Sequence, residues 1–550
     1  MQQQFLQIHP KDNVLVALQD LNAGQTIIFG ATSFFLPHTV KAKHKFALQT
    51  ITKGAIVYMY GTIVGKATQN IAQGAAITVE NVVHASSAYG VSREPWTFTP
   101  PDISKFKNAT FNGYHRADGK VGTANYWLII PLVFCENRNV EVLKKALLQP
   151  LGYRSSATDI IATDILVNLY KKQASKQELE EASILKPKTP EKEERVFPNV
   201  DGIKFLTHDG GCGGIRQDSD TLCELLAGYI TNPNVAGATV LSLGCQNAQI
   251  PILEKAIAAR DKNFKKPIFF LEQQKGGSEK QFIENAVKQT FLGLIEANKT
   301  TRKPAKLEHL TLGLECGGSD GFSGISANPT LGHVSDMLVT LGAKTVLAEF
   351  PELNGVEQEL IHRCDQQEDA EKFAHLMRTY AKHAEAVGSG FENNPSPGNI
   401  KDGLITDAMK SAGAAKKGGS SKIMAVLDYT QPITKKGLNL LCTPGNDVES
   451  TTGLAGSGCT IICFTTGLGT PTGNPIAPTI KIASNSSLSQ RMADIIDFNT
   501  GAVVEGTASI QEKGEELLAY IIAVASGEKI PNAVRLGQDD FIPWKRGISL

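Results

Sequence analysis

At 550 residues the chain is longer than one hydrophobic core sustains, so roughly three or four domains are expected. Its 55 basic and 55 acidic side chains cancel without any basic block, which removes the electrostatic footprint of a nucleic-acid or anionic-membrane binder and points to a small-molecule ligand. No run of eighteen apolar residues occurs, MQQQFLQIHPKDN lacks a basic-then-apolar leader, and nine scattered cysteines make no disulfide framework, so a soluble cytoplasmic protein with reduced thiols is expected.

The first 85 or so residues are short β-like runs, NVLVALQDL, TIIFGATSFFL, AIVYMYGTIVGKA and AITVENVVH, punctuated by Gly24, Gly30, Gly54, Gly61, Gly65 and Gly74. They predict a small, mostly β domain over residues 1–90. SREPWTFTPPDIS then reads as a linker, residues 91–106, because prolines fix φ and remove ladder donors. From residue 107 onward apolar, β-branched runs end in small or reactive residues, with amphipathic segments between them: YWLIIPLVFCENRNV, IKFLTHDGGCGG, ATVLSLGCQNAQ, IFFLEQQKGG, LTLGLECGGSDG, TVLAEFPELNG, IMAVLDYTQP, LNLLCTPGND and TIICFTTGLGTPTG. This alternation predicts two α/β domains with largely parallel sheets, 107–308 and 309–550, divided at the polar, Pro-interrupted ANKTTRKPAKLEH. The charged segment from Lys171 to Pro198 reads as a solvated helix and loop without chemistry.

In parallel sheets ligands sit outside the carboxyl ends of the strands, where the reactive residues fall. Three glycine-flanked cysteines close predicted strands: Cys212 in HDGGCGG, Cys245 in LGCQN and Cys316 in ECGGSDG. Three thiolates around an open position suit a solvent-accessible iron–sulfur cluster, or a mononuclear Fe(II) site if histidine replaces some of them. Cysteine is also a small core hydrophobe, the reading that fits Cys223, Cys364 and Cys463. His9, His44 and His84 of the β domain, with Asp12 as an oxygen ligand, form a second metal option. The stretch ECGGSDGFSGISANPTLG offers a thiol, a carboxylate, hydroxyls and free backbone amides, as a loop holding a small polar molecule would; a flexible connection is the plainer alternative.

HPKDNVLVAL, HKFAL, GYHRADGKVGTANYW, LGCQNAQI, ECGGSDGFSGISANPTLG, NNPSPGN, CTPGND, SGCTIICFTTGLGTP and FIPWKRG resemble the altronate/galactarate dehydratase family, from the N-terminal region to the last residues. The resemblance implies an N-terminal SAF-type β domain, two larger catalytic domains and an iron-dependent sugar-acid dehydratase. FIPWKRG and ENNPSPGN stand closer to the altronate forms, Lys171 to Pro198 is an added insertion, and Leu468 stands where the family is expected to carry Arg. The implied hydro-lyase removes the C2 proton and C3 hydroxide of a 2,3-dihydroxy acid such as D-altronate and leaves 2-keto-3-deoxy-D-gluconate. An α-proton beside a carboxylate is so weakly acidic that a cation must stabilise the developing charge; Fe(II) is expected, with Mn(II) or an iron–sulfur cluster as alternatives.

On that reading Cys212, Cys245, Cys316, His9 and His44 are the candidate metal ligands. His208, His115 and His44 are the candidate proton-transfer groups beside Cys316, with His333 a weaker one. Arg116 is the candidate carboxylate clamp, and Ser319, Asp320, Asn328, Asn394, Asn446 and Asp447 the readers of substrate hydroxyls. The β domain is expected to fold back over the catalytic mouth and contribute His44. The expected partner is a sugar acid, with no nucleic acid or membrane, and a homodimer is allowed. Galactarate dehydratase or a sulfolyase acting on a hydroxy sulfonate is the alternative on the same scaffold, and a sugar-acid-binding regulator a third reading. GLGTPTG departs from the dinucleotide fingerprint, so no nucleotide is expected.

Overall fold

The early glycines mark turns, and the β-rich runs between them pair as antiparallel strands. Phe5–Leu6 pairs with Val14–Ala17 and that strand with Lys45–Ala47; Thr26–Phe29 pairs with Thr32–Phe35; Ile56–Met59 pairs with Thr62–Ala67, which carries Val82–Val83. Tyr60 and Gly61 form a two-residue hairpin turn with φ of 58° and 77°, the left-handed pair that matches strand twist. Asp12 pins it by accepting the backbone N–H groups of His9, Tyr60 and Gly61 at 2.9, 3.1 and 2.8 Å. This chain is seen as a computed structural model that describes residues 3–153, 161–186 and 194–549.

Two parallel sheets follow. The first runs in the order Gly202–Phe205, Tyr126–Pro131, Val235–Ser242, Ile268–Glu272. Side chains alternate across it: Trp127 and Ile129 pack with Val140, Leu143 and Leu294 on one face, while Tyr126, Leu128 and Ile130 pack with Leu222 and Leu226 on the other. That second face shares its core with Tyr429, Leu454 and Ile462, so the two α/β units are welded by buried apolar surface. A small antiparallel sheet of Val121–Gly122, Thr110–His115 and Lys303–Lys306 ties the chain where it enters and leaves the first unit.

The second parallel sheet has seven strands in the order Ile423–Leu427, Gly437–Leu441, Lys344–Leu347, Thr311–Cys316, Ile461–Thr466, Thr479–Ala483, Phe498–Asn499. Helices Ala327–Thr340 and Ile510–Ala525 bury Leu331, Val334, Leu517, Leu518 and Ile521 against it. The latter helix starts in a capping box, Ser509 accepting from the Glu512 N–H and Glu512 from the Ser509 N–H, which satisfies two otherwise orphaned donors. Among the described residues no helix is long and apolar enough to cross a membrane. Within the charged segment from Lys171 to Pro198, Lys176–Glu181 is an exposed helix, and residues 187–193 lie outside the described residues.

The N-terminal β unit docks on the second α/β unit through lysines. Lys43 Nζ reaches Asp320 at 3.1 Å and Asp402 at 2.8 Å, and the fully buried Lys45 donates to the carbonyls of Lys43 and Gly403 at 3.0 and 2.6 Å. Two glycines permit the approach: a Cβ on Gly321 or Gly403 would lie 2.3 or 2.4 Å from the Lys43 carbonyl oxygen. The glycines of the 315–332 stretch therefore serve a close contact between units. Lys43→Met leaves Asp320 buried without its cation, although other donors remain, and should lower the unfolding free energy by about 1.5–3 kcal/mol in urea titrations, the range for one charged hydrogen bond.

Candidate active site

The strand Thr311–Cys316 ends in Glu315 and Cys316, both buried. The neighbouring strand Lys344–Leu347 runs on to Glu349, which holds left-handed backbone at φ 65°, ψ 58°, an uncommon state for a residue with a side chain and one that gathers at functional sites. This kink aims the Glu349 carboxylate back over the strand end, where it accepts the Cys316 N–H at 3.1 Å. Glu352, on the short helical turn that follows, brings a carboxylate oxygen 3.3 Å from the Cys316 sulfur.

Two lysines from the segment around helix Asp407–Ala414 close the cluster. Lys417 Nζ lies 2.8 Å from Cys316 Sγ and 2.5 Å from Glu349, and Lys410 Nζ lies 2.5 Å from Glu352 and 2.9 Å from Asn394 Oδ1. Burial and the Glu349 charge push the Cys316 thiol well up, so it stays protonated. Burial and Glu349 also raise Glu315, whose other oxygen accepts from Ser450 Oγ at 2.7 Å. Glu352 is held below the usual carboxylate range because Lys410 and Lys417 outweigh its burial.

Helix Asp447–Ser457 begins at the same edge. Asn446 caps it, its Oδ1 accepting from Val448 and Glu449 N–H at 3.1 and 3.2 Å. Asp447 overhangs Gly317, where a Cβ would sit 2.1 Å from its Oδ2, and burial together with Glu349 and Glu352 pushes this carboxyl up to about 7. Of the expected hydroxyl readers, Asn394 and Asp447 thus stand in the cluster.

The others are committed elsewhere. Asp320 accepts from Ser323 N and Oγ, Phe322 N, Ser484 Oγ and Asn485 Nδ2 besides pairing with Lys43, and Asn328 bonds the Gly413 carbonyl at 3.0 Å and Thr465 Oγ1 at 2.7 Å. Ser319 is buried, its carbonyl held by Asn399 Nδ2 at 2.7 Å. Arg116 spends its guanidinium on the Pro233 and Ala124 carbonyls and Asn125 Oδ1, at 2.7, 3.3 and 2.9 Å.

The histidines disperse. His208 uses both ring nitrogens, Nε2 at 2.7 Å from the Pro131 carbonyl and Nδ1 accepting the Gly210 N–H at 3.1 Å; burial pushes its pKa down to about 4. His115 is exposed on the small antiparallel sheet, 3.2 Å from the Pro304 carbonyl. His44 faces Lys401 at the docking surface, 3.1 Å from its carbonyl, and His9 Nδ1 accepts the Lys11 N–H at 3.2 Å. Among the described residues the one group of three or more histidine, cysteine or carboxylate donors within 4.8 Å is Cys316, Glu349 and Glu352. The expected sets therefore separate: Cys316 does not join Cys212 and Cys245, and His9, His44 and Asp12 gather no metal-sized group.

Cys212 and Cys245 lie instead at the carboxyl edge of the first parallel sheet, with a cysteine the strand reading passed over. Cys135 follows Tyr126–Pro131, Cys212 follows Gly202–Phe205 and Cys245 follows Val235–Ser242, three adjacent strands. Their loops are stitched together: Phe134 N–H donates to the Gly210 carbonyl at 3.1 Å, and Asn247 and Ala248 N–H donate to the Gly211 carbonyl at 3.0 Å. All three thiols are exposed, against the usual preference of free cysteine for burial.

A pocket lies beside the first sheet's edge, walled by the 209–214 loop, Asp218, Tyr429, Trp544 and Lys545. The chain's last residues strap across it: Lys545 pairs with Asp209 at 2.7 Å, Arg546 with Asp428 at 2.5 Å, and the Trp544 N–H donates to Tyr429 Oη at 3.1 Å. Glu449, close to Asp447 on its helix, is raised by burial and by the Asp209 charge across the gap.

Comparison with known proteins matches all three units. Residues 3–85 match the altronate/galactarate dehydratase SAF domain, 113–298 the D-galactarate dehydratase/altronate hydrolase second domain, and 307–549 the D-galactarate/altronate dehydratase C-terminal domain. The chain is 32% identical to the altronate dehydratase of Bacillus subtilis (strain 168), over 99% of both chains, and 33% identical to that of Escherichia coli (strain K12), over 100% of both. It is 31% identical to the L-threo-forming galactarate dehydratase of Escherichia coli (strain K12), over 96% of this chain and 93% of the relative.

Proposed function

Since this chain belongs to the altronate/galactarate dehydratase family, we propose that it converts D-altronate to 2-keto-3-deoxy-D-gluconate and water at the carboxyl edges of its parallel sheets. It is a hydro-lyase of sugar acids. Likeness to two altronate dehydratases along their whole lengths is the observation that carries the substrate.

The residues at the Cys316 edge suit an elimination. Asp447, neutral up to about pH 7, can hand its proton to the departing C3 hydroxide. Lys410, paired with Glu352 and donating to Asn394 Oδ1, keeps Glu352 ionised beside Cys316. The buried pair of Lys417 and Glu349 holds the floor in one arrangement.

Iron is part of the reading, and the donor sets differ in how well they fit it. At Cys316 the two carboxylates are already balanced by Lys410 and Lys417 and the thiol is protonated, so a further cation there would compete with two ammonium groups. Cys135, Cys212 and Cys245 offer three exposed soft donors from adjacent strands, but their sulfurs do not gather within 4.8 Å, so they suit the wider span of an iron–sulfur cluster with an open position rather than a single iron ion. Iron held by these thiols would supply Lewis acidity toward a carboxylate and hydroxyl. All nine cysteines are free, as a reducing cytoplasm would keep them.

Anaerobic protein supplied with Fe(II) and thiol should form keto acid fastest from D-altronate in a panel that includes D-galactarate and a hydroxy sulfonate. Preference for galactarate with altronate inert would replace the substrate, and release of sulfite from the sulfonate would replace the reaction.

A further inference from the structure

The Cys212 loop has few side chains to hold it. Gly210, Gly211, Gly213 and Gly214 surround the cysteine, Gly211 and Gly213 have φ of 96° and 72°, and a Cβ on Gly213 would meet nothing within 4 Å. Backbone of this kind loses much entropy on being fixed, so its position depends on what ties it down. Before the cysteine the ties run to the neighbouring cysteine loops: the Gly210 carbonyl accepts from Phe134 N–H, and the Gly211 carbonyl from Asn247 and Ala248 N–H. Beyond it they run to the chain's last residues. Gly214 bridges Ser549 as an antiparallel pair, Asp218 accepts the Arg546 and Gly547 N–H groups, each at 3.1 Å, and a Cβ on Gly547 would lie 2.3 Å from Ile215 Cδ1.

The same strap is fastened to the second α/β unit. Arg546 forks onto both oxygens of Asp428 at 3.1 and 2.5 Å and lies over the Trp544 ring, 4.2 Å from its centre. Trp544 in turn packs against Tyr380 and Tyr429, each with ring centres 5.3 Å apart. The Ile542 N–H donates to Thr452 Oγ1 at 3.1 Å, and Tyr429 closes on Gly453, where a Cβ would lie 2.7 Å from its Cε2. Thr452 and Gly453 belong to the helix that begins at Asp447. Residues 542–549 therefore connect the Cys212 loop of one unit to the Asp447 helix of the other.

We propose that this strap positions the active site, with Asp218 and Arg546 as positioning residues that hold the Cys212 loop in place for the iron centre and in fixed relation to the Asp447 helix. The inference rests on the reading of Cys135, Cys212 and Cys245 as the ligands of that centre. Groups that orient a metal ligand govern binding nearly as much as the ligand itself, and for a cysteine between glycines that task falls to contacts with the backbone on either side. Asp218 ties the strap to the exit of the loop, and Arg546 ties the strap to Asp428, just past the strand Ile423–Leu427 of the second sheet. Releasing either end frees the same loop, although the two side chains belong to different units and different networks.

Asp218→Ala and Arg546→Met, made in the full chain and loaded with iron anaerobically, should each speed hydrogen exchange of the amides in residues 209–216. Each should also shorten the retention of iron against a chelator by about 10- to 100-fold, the scale of a disturbed outer partner, and alter the electron paramagnetic resonance spectrum of the reduced centre. Asp218→Asn, which keeps an acceptor oxygen for the strap, should recover most of the retention and the parent spectrum. A strap that only packs down the end of the chain would release residues 541–549 to exchange and leave iron retention and the spectrum as in the parent; that result in a folded variant would overturn the proposal. Because both anchors must act, either variant alone decides the matter if the other fails to fold. Iron kept by Cys212→Ser would overturn the ligand reading and the proposal with it, whereas its loss there beside parent-like iron in Asp218→Ala and Arg546→Met would count against the strap alone.

Discussion

Asp447→Asn is expected to lower kcat by about a hundred- to ten-thousandfold while the protein stays folded, because the amide fills the same space and cannot deliver a proton. Burial, Glu349 and Glu352 keep the Asp447 carboxyl protonated up to about pH 7, so the reactive form is the one present in the neutral range. Activity that depends on this proton should fall tenfold per unit as pH rises beyond about 7. The same shift has a signature in stability. The folded-state pKa is raised, so the stabilisation linked to the neutral carboxyl is complete below the ordinary aspartate value of 3.8 and is lost progressively as pH rises through about 7. Asp447→Asn should flatten that part of the stability profile. A variant with full turnover and an unchanged alkaline limb would remove Asp447 from the chemistry.

Replacing Cys135, Cys212 or Cys245 by Ser is expected to strip iron from the anaerobically prepared protein and to abolish turnover, while Cys316→Ser keeps its iron. Loss of a direct ligand should exceed the 10- to 100-fold weakening that follows from disturbing a ligand's own hydrogen-bond partner. Iron content per chain, measured apart from activity, is the deciding quantity. Full iron in Cys135→Ser, together with its loss in Cys316→Ser, would move the metal to Cys316, Glu349 and Glu352, the group already drawn within 4.8 Å.

The contrast between these cysteines shows where sequence reasoning stops. Alternating apolar runs and glycines were enough to expect a small β unit and parallel sheets with reactive residues at strand ends, and Cys212, Cys245 and Cys316 do follow strands. Which strands share a sheet is not written in their order, however, and Cys316 ends a strand of the other sheet. Cys135 lacks the flanking glycines that single out the other three, because it lies in a short helical turn past its strand. Lys410, Lys417, Glu349 and Glu352 look like ordinary solvated charges in sequence; only their burial against one another marks them. Glu349 could have been suspected from TVLAEFPELNG, where a strand runs straight into a carboxylate.

The N-terminal unit docks through residues that its sequence did not single out. HKFAL was expected to matter through His44, whereas the strongest contacts to the second α/β unit come from Lys43 and Lys45 on either side of it. Asp320 was expected to face a substrate hydroxyl; its two oxygens are instead taken up by the loop's own Ser323, by Ser484 and Asn485 at the end of a neighbouring strand, and by Lys43. A polar residue in a glycine-rich loop serves equally well to bind a ligand or to hold the loop, and only the count of its protein partners separates the two.

Proton NMR of D-altronate incubated with the iron-loaded enzyme under anaerobic conditions tests the central claim most directly, because it follows the C2 and C3 positions themselves. The expected result is loss of the altronate C2 proton signal in step with the appearance of one 2-keto-3-deoxy acid per altronate consumed. Altronate left unchanged by protein that is folded and carries its iron would contradict it.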